Sequence, residues 1–205
     1  MTSWTVKAHE GLPATEIHVF FQTNNTVGLW AAVSKFVEIG PSLCDEGIYS
    51  YYFPSSTSFL VAPLFAPNKT LNETNLLLKP FFDVLDDYNI TYVKNATEYA
   101  SFEGAWKGTS EVPTFYLEFV GREFATMSRL IPRDTVENNL TSFMGQMKKF
   151  ADQQLGRPVL FNVAPTYKRG GELSNNAVNP AWRTAVTHFI TGKSMHFKHV
   201  FSQLI

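Results

Sequence analysis

Two β-rich runs, residues 47–53 and 58–65, are separated by only Pro54-Ser55-Ser56-Thr57. Parallel neighbours need a crossover of a dozen or more residues, so this short, turn-forming connection joins the two runs as an antiparallel hairpin. An all-parallel, doubly wound sheet is therefore excluded here, and the other elements must be arranged around an antiparallel pair.

Residues 4–8 read as the end of a strand, and residues 14–22 (ATEIHVFFQ) as a strand bounded by Pro13 and Asn24-Asn25. Asn24, Asn25 or Thr26 can cap a helix with Leu29, Trp30, Val33, Phe36 and Val37 on its apolar face, and Gly40-Pro41 is the expected end. The second strand of the hairpin stops at Ala66-Pro67. Leu77, Phe81, Val84, Leu85 and Tyr88 keep helical spacing, which predicts a helix over 72–88, kinked or restarted at Pro80, followed by a short strand over 89–93. Residues 98–121 give one turn of helix before Trp106 and an apolar stretch at 115–120. Val136, Leu140, Phe143, Met144, Met147 and Phe150 predict one helix over 134–153 with Asp134 as its N-cap. Gly156-Arg157-Pro158 ends it, and strands follow over 159–164 and 182–190. The order β, α, ββ, α, β, an unassigned stretch, then α, β, β, α predicts an α+β fold, an antiparallel sheet with helices packed on one face.

The 17 Lys+Arg balance 18 Asp+Glu at a net charge of −1, which gives no electrostatic footprint for nucleic acid or an anionic membrane. No apolar run is long enough to span a bilayer. Cys44, the single cysteine, can form no internal disulfide and reads as a buried small apolar residue. Six Asn-x-Thr triplets, at Asn24, Asn68, Asn72, Asn89, Asn95 and Asn139, are an excess that points to glycosylation in the secretory pathway. The first seven residues carry neither a basic n-region nor an apolar h-region, so the chain as it stands is expected to stay in the cytoplasm. Phe197, Val200, Phe201 and Leu204 form a helical stripe that stops at Ile205 without a closing signal, and the expectation is a precursor cut inside an element.

No motif identifies a catalytic, cofactor-binding or metal-binding residue. His196 and His199 lack a third ligand, Gly170-Gly171 is a turn rather than a phosphate cradle, and Asp86-Asp87 reads as an exposed pair at a helix end. No Gly-x-Ser-x-Gly elbow is present. Tyr167, and Tyr49, Tyr51 and Tyr52 in alternation, can face a ligand from strand positions, but the sequence does not say which sheet face receives it.

The segment from Asn175 to Ala185 (NNAVNPAWRTA) sets a rigid Asn-Pro turn before Trp182 and Arg183. The ordinary reading of these two is a strand anchor and an arginine satisfying local acceptors. Taken in order with Thr5-Val6-Lys7-Ala8-His9 and Ser128-Arg129-Leu130-Ile131-Pro132-Arg133, the segment resembles the fungal FAD-linked oxidoreductases similar to berberine bridge enzyme, in the vanillyl-alcohol-oxidase (VAO) flavoprotein superfamily. The resemblance implies the substrate domain of a two-domain flavoenzyme, with the FAD domain and its attachment residues absent from residues 1–205. It divides the chain into 1–10, the end of the FAD domain, 11–192, the substrate domain, and 193–205, a cut helix. It implies a secreted parent that holds FAD and takes a small-molecule substrate, in fungal secondary metabolism and in the ergot-alkaloid subgroup. The chain itself is expected to hold no cofactor, to be inactive, and to self-associate through an exposed aromatic sheet face. Two alternatives stay open: a piece of an active FAD-dependent oxidase, or a free-standing secreted glycoprotein binding module.

Overall fold

A computed structural model describes residues 11–109, 124–153, 158–162 and 179–194. The strands are β1 (Ala14–Gln22), β2 (Tyr49–Pro54), β3 (Ser58–Pro67), β4 (Val93–Tyr99), β5 (Phe124–Pro132), β6 (Val159–Asn162) and β7 (Ala185–Ser194). They form one sheet in the order β4-β1-β3-β2-β6-β7-β5, and every described pairing is antiparallel. The helices are α1 (Thr26–Asp45), α2 (Leu71–Asp87), α3 (Phe102–Gly108), α4 (Arg133–Asn138) and α5 (Leu140–Asp152). The α+β fold, β1 at its predicted bounds and the central hairpin all follow the sequence reading. The strand ends at 4–8, residues 1–10, the stretch 115–120, Tyr167, Gly170-Gly171 and the helix carrying His196 and His199 lie outside the described residues.

The core lies between the sheet and the α1–α2 layer. Leu29, Val33, Phe36 and Val37 of α1, Leu78, Phe81 and Leu85 of α2, and Ile17, Val19, Phe21, Tyr52, Phe59, Val61 and Leu64 of the sheet are buried together. Phe36 sits at its centre, edge-on to Tyr52, Phe59 and Phe81 with ring centroids at 5.2, 5.4 and 5.3 Å.

Several boundaries differ from expectation, each for a physical reason. Helix α1 runs through Gly40-Pro41 to Asp45 because the following turn buries Leu43 and Cys44, which offsets the hydrogen bond that Pro41 cannot make. The helix stops instead at Gly47, whose φ of 77° lets Gly47 N donate to Cys44 O and Ile48 N to Leu43 O. This pair of bonds is the Schellman closure. Helix α2 passes Pro80 without restarting, since Pro80 lies on the solvent side where the freed carbonyl can meet water. The strand placed at 89–93 is displaced to β4: Asn89 takes a left-handed φ of 53° in the turn that leaves α2, and pairing with β1 begins only at Val93. The helix predicted over 134–153 is broken at Asn139 (φ −134°) into α4 and α5, and Pro132, not Asp134, precedes the first turn. Arg133 pins this corner, donating to both Asp45 carboxylate oxygens at 2.7 and 3.1 Å. A short 3-10 turn, Pro180–Arg183, occupies what was read as the start of a strand, so β7 begins at Ala185. Lys193 and Ser194 belong to β7 rather than to a final helix. Strand β5 was not anticipated.

Candidate functional site

Register divides the sheet into two faces. Ile17, Val19 and Phe21 of β1 point to the helices, so Glu16, His18 and Phe20 point away from them. Glu16 pairs with Phe65 of β3 and Phe65 with Tyr49 of β2, which places the three in one row across the face opposite α1 and α2. Tyr51 pairs with Phe161 of β6, and Phe161 with His188 of β7. Phe20, Tyr49, Tyr51, Phe161 and His188 are only partly covered. Tyr52, by contrast, is fully buried against α1, so the three tyrosines of β2 do not share a face.

Among the described residues, α3 lies over one part of this open face, and Trp182 of the 3-10 turn packs on His188 at another. Residues Gly104 and Gly108 of α3 lie against Tyr99: a Cβ on Gly108 would fall 2.4 Å from the Tyr99 hydroxyl, so a larger residue there would have to displace the Tyr99 ring. Ala105 is then buried against Ala14 and Phe65, and Phe102 and Trp106 extend over the sheet beside Phe65 at 5.3 and 6.3 Å. The result is a shallow cleft of about 560 Å³ lined by Tyr49, Tyr51, Phe102, Glu103 and Trp106. Tyr49 and Tyr51 meet edge to face at 5.5 Å, and Tyr51 meets Phe161 in the same way at 4.5 Å. Such a surface offers planar apolar contact with few polar anchors.

Beneath α3, the Glu16 carboxylate is buried and lies 2.8 Å from the His18 ring nitrogen. Burial, together with the negative charge of Glu16 nearby, raises the pKa of Tyr99. The Tyr49 hydroxyl is also pushed well above the usual phenol range, first by burial and then by Tyr51 and Glu16. His188 is held below the ordinary imidazole range by burial, which keeps it uncharged at neutral pH. Both phenols are thus hydrogen-bonding groups, not bases, near pH 7.

All six Asn-x-Thr acceptors are exposed. Asn24 precedes α1; Asn68 precedes α2 and Asn72 lies in its first turn; Asn89 follows α2; and Asn139 lies between α4 and α5. Asn95 lies within the edge strand β4, opposite His18, rather than at a strand end. The site residues do not come together around the sequence's other singled-out positions. Cys44 is buried among core side chains, and Asp86 and Asp87 are exposed in the last turn of α2. Trp182 packs edge-on to His188 at 5.2 Å, and Arg183 lies in the last turn of the 3-10 segment. Glu16, His18, Phe102, Trp106, Phe161 and His188 were missed. The alternation of Glu16 and His18 against Ile17, Val19 and Phe21 was the one available signal, since a period of two separates a polar face from a core face. Among the described residues, no group of three metal-ligating side chains exists, and no helix is long and apolar enough to cross a membrane.

Comparison with known proteins gives the arrangement a context. The chain is 28% identical over 209 residues to an FAD-linked oxidoreductase of Gibberella zeae, a match that spans 99% of this chain and 35% of that protein. It is 31% identical over 186 residues to the FAD-linked oxidoreductase patO of Aspergillus clavatus, spanning 89% of this chain and 32% of that protein. It therefore covers about a third of the length of these relatives. A VAO-type flavoprotein of Myceliophthora thermophila shares the fold at a TM-score of 0.70 and 20% identity, over 91% of this chain and 34% of that one. A berberine bridge enzyme variant does so at 0.51 and 13%, over 89% and 36%. No family model matches the chain. The resemblance read from the motifs holds: the chain is homologous to part of fungal FAD-linked oxidoreductases and carries the corresponding part of the VAO-type fold.

Proposed function

We propose, from the premise that this chain is homologous to about a third of fungal FAD-linked oxidoreductases, that it is the substrate-binding portion of such a flavoenzyme. One observation carries the reading: α1, α2, α4 and α5 all pack on one face of the sheet and leave an aromatic, partly covered face on the other. In an intact enzyme that face covers the isoalloxazine ring and holds a small molecule against it. The cofactor would supply the redox chemistry, and this chain's residues would bind, orient and exclude water.

Residues 1–205 taken alone have no oxidase activity in this reading, because the open face, among the described residues, supplies contact surface and no cofactor cradle. Exposed Phe20, Phe102 and Trp106 favour self-association of the isolated chain. The exposure of all six acceptor asparagines supports glycosylation of a parent that enters the secretory pathway. The names of the relatives, fungal FAD-linked oxidoreductases, support redox chemistry on a small molecule in the parent; a role in fungal secondary metabolism, with an ergot-type alkaloid as substrate, is part of this proposal.

The test is an exchange chimera in which this chain replaces the matching stretch of the Aspergillus clavatus relative. The chimera is expected to retain FAD through gel filtration, with visible flavin bands that shift in Tyr51→Ala and Phe161→Ala but not in Lys79→Ala, which changes the solvent side of α2. Flavin bands indifferent to both open-face variants contradict the reading.

A further inference from the structure

Strand β4 (VKNATEY) stands at one end of the sheet, and among the described residues β1 is the strand it pairs with. Every second N–H and C=O of β4 therefore points outward, away from β1. The pairing with β1 runs from Val93 to Tyr99 without a bulge, so nothing twists this edge out of reach. Val93 is 61% exposed, and Asn95, Thr97 and Glu98 are exposed with it.

The register with β1 assigns the faces. Lys94 and Ala96 lie opposite Val19 and Ile17, so together with Glu98 they stand on the helix side, while Val93, Asn95, Thr97 and Tyr99 stand on the open face. Charged residues on an edge strand ordinarily discourage pairing with another chain. Here two of opposite sign are equally far from Ala96. A second β4 laid antiparallel about a two-fold axis through Ala96 brings Lys94 opposite the second copy's Glu98, Asn95 opposite its Thr97 and Val93 opposite its Tyr99, each pair occurring twice. Centring on Lys94 or on Glu98 instead sets like charges against each other. The Lys94 ammonium donates to Asn75 Oδ1, and one oxygen of Glu98 accepts from Leu71 N. An ammonium has three donors and a carboxylate two oxygens, so each can take a further partner. The opposite edge lacks this symmetry: β5 (FATMSRLIP) has a single charge, Arg129, and its pairing with β7 shifts register between Ile131 and Pro132.

We propose that β4 is the docking edge for a second copy of this chain, which joins in the register centred on Ala96 and continues the sheet across both molecules. The helices of the two copies then lie on one side and both open faces on the other. The contact is separate from the exposed rings of Phe102 and Trp106, and it does not depend on what the open face binds.

A seam this short makes a weak dimer, so the test is sedimentation of the chain at about 100 μM and above in low salt. The chain is made without glycans, because the acceptor Asn95 lies in the seam. Lys94→Glu alone and Glu98→Lys alone each set two like-charge pairs across the axis, and each is expected to raise the dimer Kd about 10- to 30-fold. Lys94→Glu with Glu98→Lys restores both pairs with their signs exchanged and is expected to return the Kd to within about 3-fold of the parent. That recovery separates lost pairing from lost folding. Ala96→Cys sets two thiols opposite each other across the axis and is expected to oxidise to a disulfide-linked dimer, whereas Ser128→Cys, in the middle of β5, stays unlinked under the same oxidant. A monomer at every concentration overturns the proposal. So does a dimer indifferent to both single charge reversals, one lost in Trp106→Ser while Lys94→Glu leaves it in place, or equal cross-linking through Ser128→Cys.

Discussion

Purified residues 1–205, mixed with excess FAD and passed through gel filtration, elute colourless. A dinucleotide needs a place for its pyrophosphate, usually free backbone N–H groups at a helix N-terminus or an arginine fork. Among the described residues, the N-termini of α1, α2 and α3 are closed by their own side chains, and those of α4 and α5, which carry no side-chain cap, belong to the helical layer rather than to the open face. Asn25 accepts from Gly28 N, Ser101 accepts from Gly104 N, and Thr70 and Glu73 form a reciprocal capping box at α2. Glu98 adds a second carboxylate at Leu71 N, so the start of α2 is held by negative charge and repels phosphate. Arg133 is committed to Asp45 and Glu137. The expected effect is all or none: no absorbance in the flavin bands at the protein's elution volume. Stoichiometric yellow protein contradicts it.

Phe36→Ala lowers the stability of the chain by about 3–5 kcal/mol. The ring is 1% exposed and touches three other aromatic rings edge-on, one from β2, one from β3 and one from α2. Removing it leaves a cavity between sheet and helices that these rigid rings cannot collapse to fill, and it also removes contacts worth about 0.5–1.5 kcal/mol each beyond area burial. For a domain whose total stability is of the order of 5–15 kcal/mol, that is a large fraction. Thermal unfolding followed by circular dichroism should shift down by about 6–20 °C. Trp106→Leu, on the exposed face, should stay within about 0.5 kcal/mol of the parent. Equal melting of parent and Phe36→Ala would contradict the core described for α1.

The hairpin and β1 were readable because their signals are local. A short Pro-Ser turn sets strand polarity, and a β-rich run between Pro13 and Asn24 has few alternatives. The end of α1 was misread because Pro41 is the louder local signal, while the true stop needs the backbone of Gly47 and the burial of Leu43 and Cys44. Strand β5 lies at the sheet edge, and its partner β7 is more than fifty residues away, so neither strong alternation nor a nearby turn announced it. The candidate site was less legible than the fold. Trp106 lines one cleft with Tyr49 and Tyr51 because α3, with Gly108 close over Tyr99, settles beside the sheet, a contact between elements that no periodicity encodes. The family resemblance, carried by residues 128–133 and 175–185, was visible in the sequence, but it does not identify which sheet face is open.

The central claim, that the face opposite the helices is the ligand face, is tested most directly by nuclear magnetic resonance on the 15N-labelled chain titrated with 2-naphthylmethanol. The account predicts shift changes centred on Tyr49, Tyr51, Phe65, Phe102 and Trp106, with Leu29, Phe36 and Phe81 unmoved. Changes centred on the helical side, or none at the cleft at saturating probe, would contradict it.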